Sequence, residues 1–318
     1  MAAHPAPSLH RTPPSHLGWN QLEDRARAAF LGVAVGDALG ATTEFMTAHE
    51  IRLKYGVHRK MVGGGWLNLR PGRVTDDTEM SLYLGRAVLD AGRWDPKAVA
   101  DAFVAWMRNR PIDIGSTVAR GIRNYLHNGS LEVTPNEWDA GTGAVMRMAP
   151  VALFTAGDNG LLERIAVEQG HITHNHPLSD AGCIVVGQLV HRALLGASLG
   201  DLRLHVDKFI AGNPKFRFHP YLRNSSPYEA DTLQTVFHFL FTTATFEDCL
   251  VGVVNQGGDA DTTGAIAGMI AGALFGATAR PRQWVRRLDR DVSSQIRELA
   301  TQLVRRSPLA NTCRLDPT

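Results

Sequence analysis

Apolar residues recur every three to four positions along much of the chain, which is the spacing of one buried face of an α-helix. The segments with this pattern are VADAFVAWMR (99–108), AVMRMAPVALF (144–154), SDAGCIVVGQLVHRALLG (179–196), TLQTVFHFLFTTA (232–244), FEDCLVGVVNQ (246–256) and QIRELATQLVRR (295–306). Two helix starts follow residues suited to an N-cap, Asp95 before Pro96 and Ser179 before Asp180. Because convincing strand alternation is hard to find, the pattern predicts an all-α fold.

One further predicted helix is apolar on every side. In GGDADTTGAIAGMIAGALFG (257–276), glycine recurs every four residues from Gly264 to Gly276. Such a row of small residues allows another helix to approach closely, and it is also common in membrane helices. The uninterrupted apolar run, 264–277, has only 14 residues, whereas a bilayer span needs about 20. The segment therefore predicts a buried central helix and no transmembrane segment.

The domain organisation follows from the remaining segments. Residues 56–75 and 211–228 are rich in Gly, Pro, Asn and Arg, and loops of this length inside a domain are usually functional. No internal repeat or linker-like change of composition divides the chain, so we expect a single compact multi-helix domain over residues 20–318. Residues 1–19 lack the continuous apolar run of a signal peptide and are expected to form a flexible leader.

Charge and cysteine content narrow the class of protein. The net charge of the 318 residues is +2, with 20% charged residues, which gives no reason to expect a nucleic-acid partner. The three cysteines, Cys183, Cys249 and Cys313, are widely separated and form no CxxC pair. This usage is typical of a reducing compartment, so we expect a cytoplasmic protein without disulfides.

Two similar polar segments stand at predicted helix starts. One is Thr75-Asp76-Asp77-Thr78-Glu79 before the apolar run MSLYLGRAVL, and the other is Asp259-Ala260-Asp261-Thr262-Thr263 at the start of the glycine-rich helix. Helix capping explains either segment alone, because Asp, Ser and Thr accept hydrogen bonds from free backbone N–H groups and acids suit the helix dipole. Asp76 and Glu79 even have the spacing of a capping box.

Capping does not account for the number of acids. A cap needs a single acceptor, whereas each segment supplies at least two carboxylates, and burying unpaired carboxylates costs several kcal/mol. Neither segment contains Lys or Arg. Carboxylates together with threonine hydroxyls select hard cations such as Mg²⁺ or Mn²⁺ over zinc or copper. The two segments therefore predict a site for one or two divalent cations.

Two other motifs have simpler interpretations. His171, His174 and His176 do not have the spacing of a zinc site, so structural roles are expected for them. The glycine run 63–65 before Trp66 is compatible with a phosphate-binding loop, but a turn is the default interpretation of a lone glycine run.

In three places the sequence resembles the ADP-ribosylglycohydrolase family. The matching segments are Gly36-Asp37-Ala38-Leu39-Gly40 with Glu44, Thr75-Asp76-Asp77-Thr78, and Gly258-Asp259-Ala260-Asp261-Thr262-Thr263-Gly264-Ala265-Ile266. Their order and spacing agree with the family over about residues 25–290. The resemblance implies an all-α fold with a dimetal centre at the bottom of a cleft. The metal ligands that it implies are Thr75, Asp76, Asp77, Asp259, Asp261 and Thr262.

Residues 44–82, 110–122 and 172–182 look more specifically like the bacterial branch of the family that reactivates nitrogenase. This resemblance implies Asp113 as the general base and Glu44 as the acid beside the metals that orients water or substrate. The substrate-binding residues expected with it are Gly115, Ser116, Gly141 and Gly143 around the diphosphate, His174 in the cleft, and Tyr228 near the adenosine or ribose. At Thr142 the sequence departs from the Asn expected in many relatives.

The activity that the resemblance implies is hydrolysis of the N-glycosidic bond of ADP-ribosyl-arginine with two Mn²⁺ or Mg²⁺ ions. The implied protein substrate is the iron protein of nitrogenase. The resemblance also implies a PII-type signalling protein as a second partner. The enzyme is expected to be a monomer that a partner can bring to the membrane periphery. Two alternatives stay open: a hydrolase of serine-linked or O-acetyl-ADP-ribose, and a dimetal phosphohydrolase. A non-catalytic ADP-ribose-binding module is disfavoured because all the acids are present.

Overall fold

The computed structural model describes residues 18–223 and 226–312, and fifteen α-helices form its framework. The helices are α1 (Trp19–Gly40), α2 (Ala48–Tyr55), α3 (Asp76–Ala91), α4 (Pro96–Arg108), α5 (Ser116–Asn128), α6 (Met148–Phe154), α7 (Asn159–His171), α8 (Pro177–Leu194), α9 (Leu199–Gly212), α10 (Glu229–Thr242), α11 (Phe246–Val254), α12 (Ala260–Phe275), α13 (Arg282–Arg287), α14 (Arg290–Arg305) and α15 (Pro308–Thr312). Short 3₁₀ turns occur at Val145–Arg147, Pro214–Phe216 and Ala277–Ala279. Across the described ranges, strand-like pairing is limited to three isolated bridges. The all-α prediction is confirmed.

The predicted helices are present, and one predicted cap is wrong. Each of the six periodic segments falls on a helix. Asp95 caps α4, because its Oδ1 accepts hydrogen bonds from the backbone N–H groups of Lys97 and Ala98. Ser179 is not a cap. The helix begins two residues earlier at Pro177, a residue suited to the first helical turn, and the His176 ring accepts the cap hydrogen bond instead.

Helices α1 and α12 form an antiparallel central pair with almost no space between their backbones. A Cβ atom added to Gly36 would lie 1.9 Å from the carbonyl oxygen of Gly264, and one added to Gly272 would lie 2.2 Å from that of Ala28. Every residue of α12 from Ala260 to Ala273 is buried. The prediction of a buried central helix with a glycine edge is therefore confirmed.

This antiparallel pairing brings the end of α1 beside the start of α12. Helix α3 also begins there, and the other helices that pack on the central pair include α8, α10, α11 and α14. The two polar segments, although about 180 residues apart, are thus brought to one end of the central pair. In the part of the chain that the structure describes, no helix is both long enough and apolar enough to span a membrane.

The first 17 residues and the last six lie outside the described ranges, as do residues 224–225. Most of the predicted leader, 1–19, therefore falls outside the described residues. Trp19 is the first residue of α1. The described residues of the predicted domain share one core, which runs from α1 to the C-terminal helices.

Candidate active site

Asp37 organises the first polar segment from outside it. Its carboxylate, fully buried in the last turns of α1, accepts hydrogen bonds from the backbone N–H and the hydroxyl of both Thr75 and Thr78, at 2.5 to 3.2 Å. Thr75 occupies the N-cap position of α3, but its side chain makes no cap hydrogen bond. Asp37 therefore satisfies the backbone N–H groups of Thr75 and Thr78 at the start of α3, and Asp76 and Asp77 are not needed for those two groups.

Capping accounts for few of the acids in the two segments. Asp259 stands at the N-cap position of α12, and its side chain makes no cap hydrogen bond. Glu79, which has capping-box spacing from Asp76, instead accepts hydrogen bonds from Arg73 and Trp106. Asp261 Oδ1 does accept the Thr262 backbone N–H at 2.9 Å, so capping uses one acid of the second segment and leaves Asp259 for another purpose.

The two segments meet in space. The Thr262 hydroxyl donates to Asp77 Oδ2 at 3.3 Å, although the two residues are 185 positions apart, and the Thr75 hydroxyl oxygen lies 3.3 Å from the same atom. Glu44, Asp113 and Asp261 each offer a carboxylate oxygen, and these oxygens all lie within 4.8 Å of one another. Residues predicted to act in catalysis are thus grouped with a residue predicted to bind metal.

A cavity of about 320 Å³ opens over these acids. Its predicted site residues are Glu44, Asp76, Asp113, Gly115, Ser116, Gly141, Gly143, His174, Asp259, Asp261 and Thr262. Thr75 and Asp77 do not line the cavity and lie completely buried behind Thr262. Tyr228 does not line it either: the backbone of Tyr228 pairs with Gly141, while the adjacent Pro227 reaches the cavity.

His174 is held on the cavity wall in a fixed environment. Gly143 leaves room for its ring, since a Cβ atom there would lie 2.6 Å from His174 Cε1. Arg147 donates to the Thr173 hydroxyl, and that hydroxyl lies 2.8 Å from His174 Nδ1. Burial, followed by the charges of Arg147 and Arg120, lowers the pKa of His174 to about 3. A neutral ring that accepts from Thr173 at Nδ1 carries its hydrogen on Nε2.

The acids of the cluster are costly to ionise as they stand. Burial is the first cause in every case, and repulsion between neighbouring carboxylates adds to it for most of them. The pKa of Glu44 is raised to about 7 and that of Asp37 to about 6. The pKa is raised well above its usual value for Asp76, Asp77 and Asp261, and is also raised for Asp113 and Asp259.

The donor set fits a hard divalent cation. The site offers carboxylate and hydroxyl oxygens, the ligands that Mg²⁺ and Mn²⁺ prefer. Within 18–223 and 226–312, no Lys or Arg forms an ion pair with any of these acids. Asp77 Oδ1 is buried without a hydrogen-bond partner. A cation would supply the missing positive charge and a partner for that atom.

The other two histidines of the sequence motif lie apart from this cluster. His171 Nε2 is 3.0 Å from Asp180 Oδ1, which raises the pKa of the ring. His176 caps α8. The three histidines thus have three separate surroundings, as expected for residues that do not share a zinc ion.

Comparison with known proteins identifies the class to which this site belongs. The family model described as ADP-ribosylglycohydrolase matches residues 19–312. The chain belongs to the ADP-ribosylglycohydrolase family. It is 50% identical to ADP-ribosyl-[dinitrogen reductase] glycohydrolase of Rhodospirillum rubrum, over 89% of this chain and 96% of the relative. It is 32% identical to ADP-ribosylarginine hydrolase Tri1 of Serratia proteamaculans, over 95% of this chain and 85% of the relative.

A solved structure agrees with the family assignment. It is described as an ADP-ribosylglycohydrolase-related protein complex and superposes with a TM-score of 0.80 at 32% identity, over 91% of this chain and 99% of the other.

The sequence patterns assigned no role to three residues of the present chain that shape the site. They are Asp37, Trp66 and Thr142.

Trp66 and Thr142 both contact predicted site residues. Trp66 Nε1 donates to Glu44 Oε2 at 2.6 Å, and Thr142 Oγ1 donates to Asp259 Oδ2 at 3.1 Å. Threonine at position 142 therefore keeps a polar contact where Asn was expected. The available signals were a tryptophan directly after three glycines and a polar residue between two glycines, and neither pattern specifies a partner.

Proposed function

We propose that this protein hydrolyses the N-glycosidic bond between ADP-ribose and an arginine of a modified protein, which releases ADP-ribose and restores the arginine. The observation that carries the proposal is a cavity floored by acids from both polar segments, in a chain half identical to an enzyme named for dinitrogen reductase. Cleavage of this bond develops positive charge on the ribose, and carboxylates facing the ribose would stabilise that charge.

We propose two divalent cations, Mn²⁺ or Mg²⁺, as the cofactors. The residues that would hold them are Thr75, Asp76, Asp77, Asp259, Asp261 and Thr262. When bound, such ions position substrate hydroxyls and lower the pKa of water. Support comes from the all-oxygen donor set and from the unpartnered Asp77 Oδ1. In the part of the chain that the structure describes, no Lys or Arg pairs with the four aspartates among these residues.

Asp113 is proposed as the general base. It lines the cavity half-buried, burial raises its pKa, and its Oδ1 accepts the Ile114 backbone N–H at 2.8 Å. A carboxylate placed there takes a proton from water as the water oxygen bonds to the anomeric carbon, and the C–N bond breaks. The proton then passes to the departing guanidine. Glu44, close to Asp113, orients the water or the ribose.

The remaining cavity wall is proposed to hold the rest of the nucleotide. Gly115 and Ser116 lie at the start of α5, where backbone N–H groups and the helix dipole favour phosphate. Gly141 and Gly143 bring the backbone close to His174, whose Nε2–H would donate to an oxygen of the substrate. Tyr228, partly exposed beside Gly141, is proposed to contact adenosine or ribose at the cavity edge.

The biological setting is proposed from the sequence resemblance. The substrate is the iron protein of nitrogenase, the enzyme acts as a cytoplasmic monomer, and a PII-type signalling protein binds it and brings it to the membrane surface. Light scattering of the purified protein, alone and mixed with a PII-type protein, tests the monomer and the complex.

The group to which ADP-ribose is linked in the substrate is tested by comparing substrates at equal concentration with Mn²⁺ present. The substrates are an arginine-linked protein, a serine-linked peptide and O-acetyl-ADP-ribose, with free ADP-ribose and inorganic phosphate measured. We expect the arginine linkage to be cleaved fastest without release of phosphate. Faster cleavage of either other ADP-ribose derivative would replace the arginine assignment, and phosphate release would indicate a phosphohydrolase.

A further inference from the structure

We propose that Trp66 is a positioning residue that holds the Glu44 carboxylate in place over the acid cluster through its indole N–H. The proposal rests on the proposed function, in which Glu44 orients water or ribose. Its basis is a 2.6 Å hydrogen bond from Trp66 Nε1 to Glu44 Oε2. Nothing in the sequence patterns or in the family resemblance stated above assigns a role to this tryptophan.

The glycine run before Trp66 fixes the direction of the indole. Gly63, Gly64 and Gly65 all have positive φ, +71°, +85° and +69°, a region that residues with side chains rarely adopt. Gly64 and Leu69 exchange both backbone hydrogen bonds, at 2.8 and 2.9 Å. The Gly64 N–H is therefore already used, which argues against a phosphate-binding loop and for a closed turn that presents Trp66.

The same turn is packed against the segment that carries Glu44. A Cβ atom on Gly65 would lie 2.1 Å from the carbonyl oxygen of Ala41, the C-cap residue of α1. Glu44 follows three residues later. The backbone that directs the indole and the backbone that directs the carboxylate are thus in direct contact, so their relative position is set by main-chain packing.

A second contact fixes the indole ring. Its centroid lies 5.3 Å from that of Phe45 at an interplanar angle of 53°. Phe45 has a positive φ of 60°, and its N–H donates to the Gly258 carbonyl oxygen at 2.7 Å, next to Asp259. Trp66 and Phe45 are 54% and 61% exposed. Rings this exposed contribute little to a core, so core packing does not explain why the indole is placed here.

The acid cluster explains why Glu44 needs a neutral donor. Its carboxylate shares the cavity with Asp113, Asp259 and Asp261, and the negative charges of Asp113 and Asp259 oppose its ionisation. Glutamate also has a long, flexible side chain that repulsion can displace. An indole N–H holds one oxygen without adding the positive charge of Lys or Arg, which would compete with a cation. A hydrogen bond to a charged group contributes about 1.5–3 kcal/mol, roughly 10- to 150-fold in an equilibrium constant.

The test is Trp66→Phe, which keeps an aromatic ring beside Phe45 and removes the N–H. Trp94→Phe is the matched control, because it removes an indole N–H bonded to Glu168, neither of which lines the cavity. With arginine-linked substrate, we expect Trp66→Phe to lower kcat about 10- to 100-fold while KM changes less than about 3-fold. Trp94→Phe should leave kcat within about 2-fold of the unmodified enzyme.

A double-mutant cycle separates positioning from a structural effect. In a Glu44→Ala background, Trp66→Phe should change kcat less than about 2-fold, since the group that it positions is gone. A Trp66→Phe enzyme that behaves like Trp94→Phe overturns the proposal. So does a rise in KM at unchanged kcat, which would make Trp66 a substrate contact, or a full additional loss in the Glu44→Ala background.

A spectroscopic measurement tests the hydrogen bond between Trp66 and Glu44 independently of enzyme activity. The indole ¹H–¹⁵N resonance that disappears in Trp66→Phe should shift upfield in Glu44→Ala, while the Trp94 resonance stays in place. If the Trp66 resonance does not move, the hydrogen bond and the proposal are wrong. If it moves but the unmodified enzyme releases no ADP-ribose from arginine, the contact stands and the proposed function fails.

Discussion

Replacing Gly36 by alanine tests how closely the central helix pair sets the geometry of the acid cluster. The new Cβ atom would lie 1.9 Å from the Gly264 carbonyl oxygen, whereas such contacts below 3.0 Å essentially never occur. Helices α1 and α12 must therefore separate by about 1.1 Å at this point. Gly36 precedes Asp37, and Gly264 lies three residues after Asp261, so the displacement falls on the site.

The clash should lower both the stability of the fold and the rate of the reaction. Overpacking of this kind costs about 1–3 kcal/mol, against which alanine recovers up to about 1 kcal/mol of helix preference. We expect the free energy of unfolding to fall by a net 1–2 kcal/mol, roughly, with a fall in Tm of a few degrees. A displacement of about 1 Å at reacting groups lowers the rate about 100-fold. We therefore expect ADP-ribose release to fall far more than the stability change alone would cause.

Gly272→Ala separates the two effects. Its Cβ atom would lie 2.2 Å from the Ala28 carbonyl oxygen, a similar clash on the same helix pair, but about two turns, or roughly 12 Å, farther along α12. Thermal unfolding should show a similar loss for both variants, whereas ADP-ribose release by Gly272→Ala should fall less than about 10-fold. Gly200→Ala, whose nearest atom would be 3.7 Å away, is the neutral control. Equal losses of activity in Gly36→Ala and Gly272→Ala would show that the position of the clash relative to the acid cluster does not determine the loss.

Four further predictions concern the acids. Asp259→Asn should abolish most Mn²⁺ binding in calorimetry and nearly all activity, with an unchanged helical circular dichroism spectrum; full activity after EDTA treatment and Mn²⁺ readdition would remove Asp259 from the metal site. Asp113→Asn should lower kcat about 10²- to 10⁴-fold with metal stoichiometry unchanged, and a lost ion would make Asp113 a ligand. Asp37→Ala should destabilise the fold by several kcal/mol, because it leaves the buried Thr75 and Thr78 donors unsatisfied; denaturant unfolding measures this, and a change below about 1 kcal/mol would contradict the capping role. The stability of the metal-free protein should also depend on pH. The pKa of Glu44 is about 7 and that of Asp37 about 6, above the ordinary values of 4.5 and 3.8. The protonated forms of these two acids therefore stabilise the fold below about pH 4, and this contribution is lost as the pH rises through 6 to 7. A cation bound beside these acids would stabilise their ionised forms. The gain in Tm from Mn²⁺ over EDTA should therefore be larger at pH 8 than at pH 5, and an equal gain would contradict the burial argument.

The features that could be predicted from sequence are those that a short stretch of chain displays without its tertiary contacts. The glycine spacing of α12 and the two acid segments are visible in short stretches, and the fold brings those segments together because the central helices run antiparallel. The sequence of helix α9 shows little helical periodicity because only Leu202 and Val206 of its residues are buried. A helix with so narrow an apolar stripe leaves little signal in the sequence.

The features that sequence did not predict depend on contacts between distant residues. Asp37 accepts hydrogen bonds at the start of a helix that begins 39 residues later, whereas sequence patterns for caps involve only residues next to the helix start. The pairing of Trp66 with Glu44 requires the closed glycine turn and its contact with Ala41. His176 displaced Ser179 as a cap because Pro177 starts α8 early. Tertiary packing therefore decides the partners of Asp37 and Trp66, whereas the His176 cap follows from the adjacent Pro177.

The acids of the two segments are proposed to form one cation-dependent site that cleaves ADP-ribosyl-arginine. The most direct measurement is a single-turnover reaction of arginine-modified protein with the metal-free enzyme, with and without added Mn²⁺. Mass spectrometry follows both products. We predict that unmodified arginine and intact ADP-ribose appear in equal amounts with Mn²⁺ and not with EDTA. Equal turnover in EDTA, or cleavage within the diphosphate that leaves a ribose remnant on the arginine, would contradict it.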